Sequence, residues 1–170
     1  WRALSAEERR TLEGGLPSAR WFPGALHERL VEALDDASAG DAALRRAGGR
    51  HAADRLLADA EARGIASWVG PGRGWERAGP LLVAVPSRLL SETSWRLLPG
   101  DEAGRFTAEV SGAEALSEPS RRAAEALLEG LAARLAGVDV AVRSERPEPG
   151  VVRFVGRPRR LRGHAAPARD

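Results

Sequence analysis

At 170 residues, with 43% apolar and 29% charged positions, the chain has the size and balance of one globular domain with a real core. It has no Cys, which excludes disulfides, thiol catalysis and Cys-ligated metal. All 26 basic residues are Arg and 24 Asp and Glu nearly balance them, so the pI of 10.6 reflects the absence of Lys and Tyr, not a polyanion-binding surface.

The chain opens on Trp1 and not on Met, which points to a trimmed product with residues preceding it. No secretory signal is visible, and no apolar run reaches the roughly 20 residues of a membrane span. A cytoplasmic protein is expected. Ser5 and Glu8 form a capping box that predicts a helix over 5–14, closed by Gly14 and Gly15. Pro23 suits the first turn of a second helix over 23–37, with Leu26, Leu30, Val31 and Leu34 on one apolar face. Asp41 is a good N-cap for helical sequence running to Gly64. Gly48 and Gly49 leave open whether this is one kinked helix or two.

Ile65, Trp68 and Val69 make a small apolar cluster, and Gly70 to Gly74 reads as a loop. The run from Pro80 to Leu90 reads as a helix bent at Pro86, or as a strand over 81–85 followed by a helical turn. Strands are expected over 94–98 and 105–111, where Phe106, Ala108 and Val110 face one way and Thr107 and Glu109 the other. Ser117 caps a helix over 119–136 with a stripe of Leu127, Leu128, Leu131 and Leu135, ended by Gly137. Strands over 138–146 and 151–156 follow, joined by a turn from Pro147 to Gly150. The predicted fold is α+β: a helical N-terminal half, then a four-stranded antiparallel sheet with helices packed on one face. Residues 1–156 form the single domain, and 157–170 a basic, mobile tail.

The block from Trp21 to Leu34, the block from Ala42 to Ala53, and the closing strand–helix–strand–strand order together resemble a bacterial group. That group contains 4-vinyl-reductase-type domains and a myxobacterial paralogous family of unknown function. It is related in fold to haem–nitric-oxide-binding domains and TRAPP-type trafficking subunits. The resemblance covers about residues 5–156. It implies helices on one side of an antiparallel sheet, a sensory or scaffolding role, and pairing through helices. The haem-binding relatives use a proximal His and a Tyr-x-Ser-x-Arg motif. Val142 to Arg146 supplies Ser144 and Arg146 but places Val where Tyr belongs, so the haem site does not carry over.

No constellation for catalysis stands out. His27 and His51 lack a partner ligand four residues on, and His164 lies in the tail, so no metal, haem or other cofactor is expected. Gly70 to Gly74 lacks the Lys-Ser/Thr ending of a phosphate loop, and no nucleophile elbow is present. Glu125 and Glu129 lie off the leucine stripe and read as a solvated helix face. Trp21, Phe22, His51, Trp68, Trp75 and Trp95 are the candidates for a pocket or a partner surface, where large aromatic side chains dominate contact energy. Arg157, Arg159, Arg160 and Arg162 are candidate anion contacts, although without aromatic interleaving they argue against nucleic acid.

The sequence therefore reads first as a non-enzymatic sensor or protein-interaction module in bacterial signalling. Such a module would act as a homodimer or within a complex, through the helices at 5–14 and 23–37. A domain binding a small apolar ligand between helices and sheet is the second reading. Contact with nucleic acid or an anionic surface through the Arg-rich tail is the third.

Overall fold

Helical spacing in the first half and over 119–136, with alternation in the segments around it, gives way to five α-helices and four strands among the described residues. The computed structural model describes residues 5–13, 24–38, 40–62, 75–88, 92–98 and 105–159. The helices are α1 (Ala6–Glu13), α2 (Gly24–Ala37), α3 (Ala42–Ala62), α4 (Trp75–Ala84) and α5 (Glu118–Ala136). The strands are β1 (Ser94–Leu98), β2 (Phe106–Ser111), β3 (Val140–Glu148) and β4 (Val151–Pro158). All neighbours pair antiparallel, in the order β1-β2-β4-β3. The expected α+β architecture is the observed one.

One face of the sheet forms the core. Phe106, Ala108, Val110, Val140, Val142, Val152 and Phe154 point inward and are buried, as the alternation predicts. From α5, Leu127, Leu128 and Leu131 pack onto them, with Leu135 partly buried beside them. Gly156 is required on this face. A Cβ there would lie 2.1 Å from Cε1 of Phe106, whose ring crosses the strand.

Helix α5 is secured at both ends. Ser117 Oγ accepts from the Ser120 N–H at 3.2 Å, and Glu28 of α2 accepts the Ser117 N–H at 3.3 Å. At the other end Gly137, with φ of 67°, returns its N–H to the Ala133 carbonyl.

A second helical layer rests on α5. Helix α3 is continuous through Gly48 and Gly49, because the packing there outweighs the helix-propensity cost of glycine. A Cβ on Gly49 would fall 2.3 Å from the Ala126 carbonyl carbon and oxygen. A Cβ on Gly130 would fall 2.8 Å from the Gly49 oxygen and 3.1 Å from Ala53 Cβ. The two helices thus cross backbone to backbone. Asp35 ties three helices together, accepting from Arg122 of α5 at 2.7 Å and lying 3.5 Å from Arg45 of α3. Arg134 of α5 grips Asp54 of α3 with contacts of 2.6 and 2.8 Å.

Several expectations are corrected. Leu34 is 68% exposed, so the apolar stripe of α2 does not extend to its last turn, and Leu44 in the first turn of α3 is 56% exposed. Helix α4 starts five residues before Pro80, because Ala78 extends the buried face of Leu81, Leu82 and Val85 by one turn. At Val85 it gives way to a 3-10 turn, Pro86–Arg88, since Pro86 has no N–H to continue the ladder. Pro147 belongs to β3 and not to the turn. It sits at the register shift between Glu145 and Glu148 on an edge strand, where a missing N–H is tolerated. Finally, β4 runs two residues past its expected end at 156, because Val140 pairs with Pro158 and Ala141 with Arg157.

Candidate functional site

The outer face of the sheet carries the most organised group of polar side chains. Strand register places Arg96, Glu109 and Arg153 side by side on β1, β2 and β4. Arg96 Nε donates to Glu109 Oε1 at 2.8 Å, and Arg153 Nε donates to Oε2 at 2.8 Å. Arg96 Nη2 also contacts Oε1. The Glu109 side chain is only 4% exposed although it faces away from the core. Two guanidinium groups hide it, not apolar packing. Hydrogen bonds from Arg153 and then Arg96 hold its carboxyl below the ordinary value of 4.5, against a smaller opposing effect of desolvation. Alternation along β2 puts Glu109 on this face, and strand order supplies its two partners.

The sign of the resulting pH effect follows from that depression. A carboxyl with a lowered folded pKa contributes stability that is fully present above its unfolded pKa and is lost as pH falls through the folded one. Glu109→Gln should therefore lower the urea midpoint relative to wild type at pH 7. The gap should shrink progressively once pH drops below about 4.5. An equal gap at pH 7 and pH 3 would show that the ion triad does not stabilise the fold.

Glu125 and Glu129 correct the reading of a solvated face. Their side chains are 15% and 14% exposed and reach from α5 to the free edge of β3. Glu129 accepts the Val142 N–H at 3.0 Å, and Glu125 accepts the Ser144 N–H and hydroxyl, each at 2.7 Å. An edge strand presents unpaired N–H groups, and these two carboxylates satisfy them. Spacing along the helix could not reveal this, since it depends on β3 lying outermost.

Of the aromatic and His candidates, Trp95 is a core plug. Its ring stacks on Phe154 with centroids 5.6 Å apart and 4° between planes, and its Nε1 donates to Thr93 Oγ1 at 2.9 Å. His51 is exposed on α3. Trp75 opens α4, and its side chain is outside the described set, as are Trp21, Phe22 and Trp68 altogether. Ile65, Val69, the Gly70–Gly74 loop and His164 also lie outside the described residues.

In the basic segment, Arg157 is exposed on β4. Arg159 serves the fold, donating to the Val140 carbonyl at 3.1 Å and to Glu129 at 2.8 Å. Two of its guanidinium nitrogens are thus engaged within the fold. Arg160 and Arg162 lie outside the described residues.

The described residues do not fit a haem held as the related haem domains hold it. Val142 is buried in the core and Ser144 is bonded to Glu125. Arg146 donates to the carbonyls of Pro149 and Leu116. His27 lies 3.7 Å from Glu28 on a helix that packs on α5. Among the described residues no group of three or more His, Cys, Asp or Glu is placed to hold a metal ion. No described helix is long and apolar enough to cross a membrane.

No protein-family model matches the chain, and no curated protein matches it. Solved structures do. The Fe(II) unliganded H-NOX protein from K. algicida superposes with a TM-score of 0.54 at 8% identity, covering 89% of this chain and 82% of that one. A point mutant of the same protein gives 0.53 at 10% identity, with coverage of 87% and 80%. The phenol-responsive sensory domain of the transcription activator PoxR, with phenol, gives 0.49 at 16% identity, with coverage of 91% and 92%. At these identities the H-NOX likeness defines the fold: this chain has an H-NOX-like arrangement of helices on an antiparallel sheet.

Proposed function

We propose that the chain is a non-enzymatic sensor or protein-interaction module of a bacterial regulatory system, acting in the cytoplasm and akin to the 4-vinyl-reductase-type group. One observation carries this reading over the apolar-ligand alternative. Among the described residues, Leu82, Leu128, Leu131 and Phe154 are fully buried between helices and sheet. Leu34 and Leu44 flank the α2–α3 turn in solvent. Large apolar side chains closely packed between the layers, with others exposed, favour a macromolecular partner over a small guest. The H-NOX-like fold supports the same class of role.

Native mass spectrometry of the protein isolated from its own host tests the reading. The expected spectrum shows this chain with a second polypeptide or a second copy and no added small mass. Placing Arg at both Leu34 and Leu44 should remove the second polypeptide while leaving the circular dichroism unchanged. A monomer carrying a stoichiometric apolar compound would replace this reading with the ligand-binding one.

A further inference from the structure

We propose that the outer face of the sheet is a self-association surface, on which two copies stack face to face about a two-fold axis parallel to the strands. This goes beyond the interaction-module reading: the partner is a second copy, and the face is separate from the one carrying Leu34 and Leu44.

Across the sheet, in spatial order, one row of outward side chains reads Arg96, Glu109, Arg153, Glu145. The signs alternate from one edge to the other. A two-fold axis along the strands keeps each row at its own height and reverses the strand order. Arg96 then faces Glu145 of the second copy, twice about the axis, and these are the accessible oppositions of unlike charge. Glu109 and Arg153 also lie opposite each other, but Glu109 is 4% exposed beneath its own two Arg and makes no contact across the axis. A row with its two Arg together on one half and its two Glu on the other would also pair unlike charges between copies, but it could not build the internal triad on Glu109. Alternation serves both.

The neighbouring rows fit the same operation. Leu98, Thr107, Val155 and Arg143 form the next row, so Thr107 meets Val155 and Leu98 meets the aliphatic stem of Arg143. Ser94, Ser111, Val151 and Glu148 form the row on the other side, so Ser94 meets Glu148. The face is accessible: the side chains of Arg96, Arg143 and Arg153 are 66, 85 and 40% exposed. Its charges also argue against a polyanion. Glu109, Glu145 and Glu148 are set among Arg96, Arg143, Arg153 and Arg157, which leaves little net field to attract phosphates.

Area sets the strength. Four strands about 4.8 Å apart and three rows about 7 Å apart give a footprint on the order of 400 Å2 per copy. That is below the roughly 800 Å2 per partner of a stable interface. The association is therefore weak and concentration-dependent, and the exposed charge pairs make it sensitive to salt.

Sedimentation equilibrium from about 10 to 500 µM, at low and high salt, reads the association. It is run on wild type, on Arg96→Glu, on Glu145→Arg, and on an equimolar mixture of the two variants. Residues 96 and 145 of one chain are three strand spacings apart, about 14 Å, so a rescue between them must cross between copies. The expected result is a wild-type dimer that weakens several-fold at high salt, two variants that are each monomeric, and a mixture that dimerises again. If Arg96→Glu does not fold beside Glu109, Arg96→Gln replaces it, and with Glu145→Gln it should lower affinity and flatten the salt dependence. A wild type that stays monomeric at 500 µM overturns the proposal. So does a dimer indifferent to both substitutions, which would locate the contact on the N-terminal helices and leave the interaction-module reading intact. A mixture no more associated than its components overturns it as well.

Discussion

Alanine at Gly48 and alanine at Gly49 are expected to shift stability in opposite directions. Both glycines lie inside α3, where Ala is favoured over Gly by about 1 kcal/mol. At Gly48 nothing lies within 4 Å of the new methyl, so that preference acts alone and the substitution stabilises by about 0.5–1 kcal/mol. At Gly49 the methyl would fall 2.3 Å from the carbonyl carbon and oxygen of Ala126. Those are backbone atoms of a helix, which cannot turn aside as a side chain would. The helices must separate, and overpacking of about 1–3 kcal/mol or more exceeds the propensity gain. Paired urea melts of the two single variants measure this directly. Two changes of the same sign would mean that α3 and α5 do not cross at Gly49.

The second large effect is expected at Leu131. It is fully buried, between the sheet and the second helical layer. Truncation to Ala removes apolar contacts and leaves a cavity that surrounding strands and helices can close only in part, so the loss should be about 2–5 kcal/mol. For a chain of this size that corresponds to a fall in Tm on the order of 10 °C. A loss under about 0.5 kcal/mol would place Leu131 on the surface and the leucine stripe on the wrong face of α5.

These two sites differ in how far the sequence exposes them. The stripe holding Leu127, Leu128 and Leu131 repeats with helical spacing, so its burial can be read from the chain alone. The alternation of Phe106, Ala108 and Val110 is equally plain, and β1 matches its expected bounds. The role of Gly49 is not legible, because a glycine that breaks a helix and one that admits a neighbouring helix look identical in sequence. The same holds for Glu125 and Glu129, whose partners are backbone N–H groups on a strand whose edge position is a property of topology. Leu34 fails for a related reason: helical spacing gives the direction of a side chain, not whether anything stands opposite it. In the candidate site, alternation shows which residues face outward. Only strand order brings Arg96, Glu109 and Arg153 into one row.

The grip of α5 on β3 has a consequence for how the chain folds. Glu129 reaches Val142 across 13 residues, Glu125 reaches Ser144 across 19, and β3 returns as β4 through the short turn at Pro149 and Gly150. The contacts between α5 and α3 span about 80 residues, as Arg134 and Asp54 show. Closing a short loop costs less entropy than closing a long one, so near contacts are made first. The segment from Glu118 to Pro158 should condense as the nucleus, with α2 and α3 docking onto a surface already formed. Pulse-labelled hydrogen exchange during refolding should then find the amides of Val142 and Ser144 protected before those of α3, and the reverse order would place the nucleus among the helices.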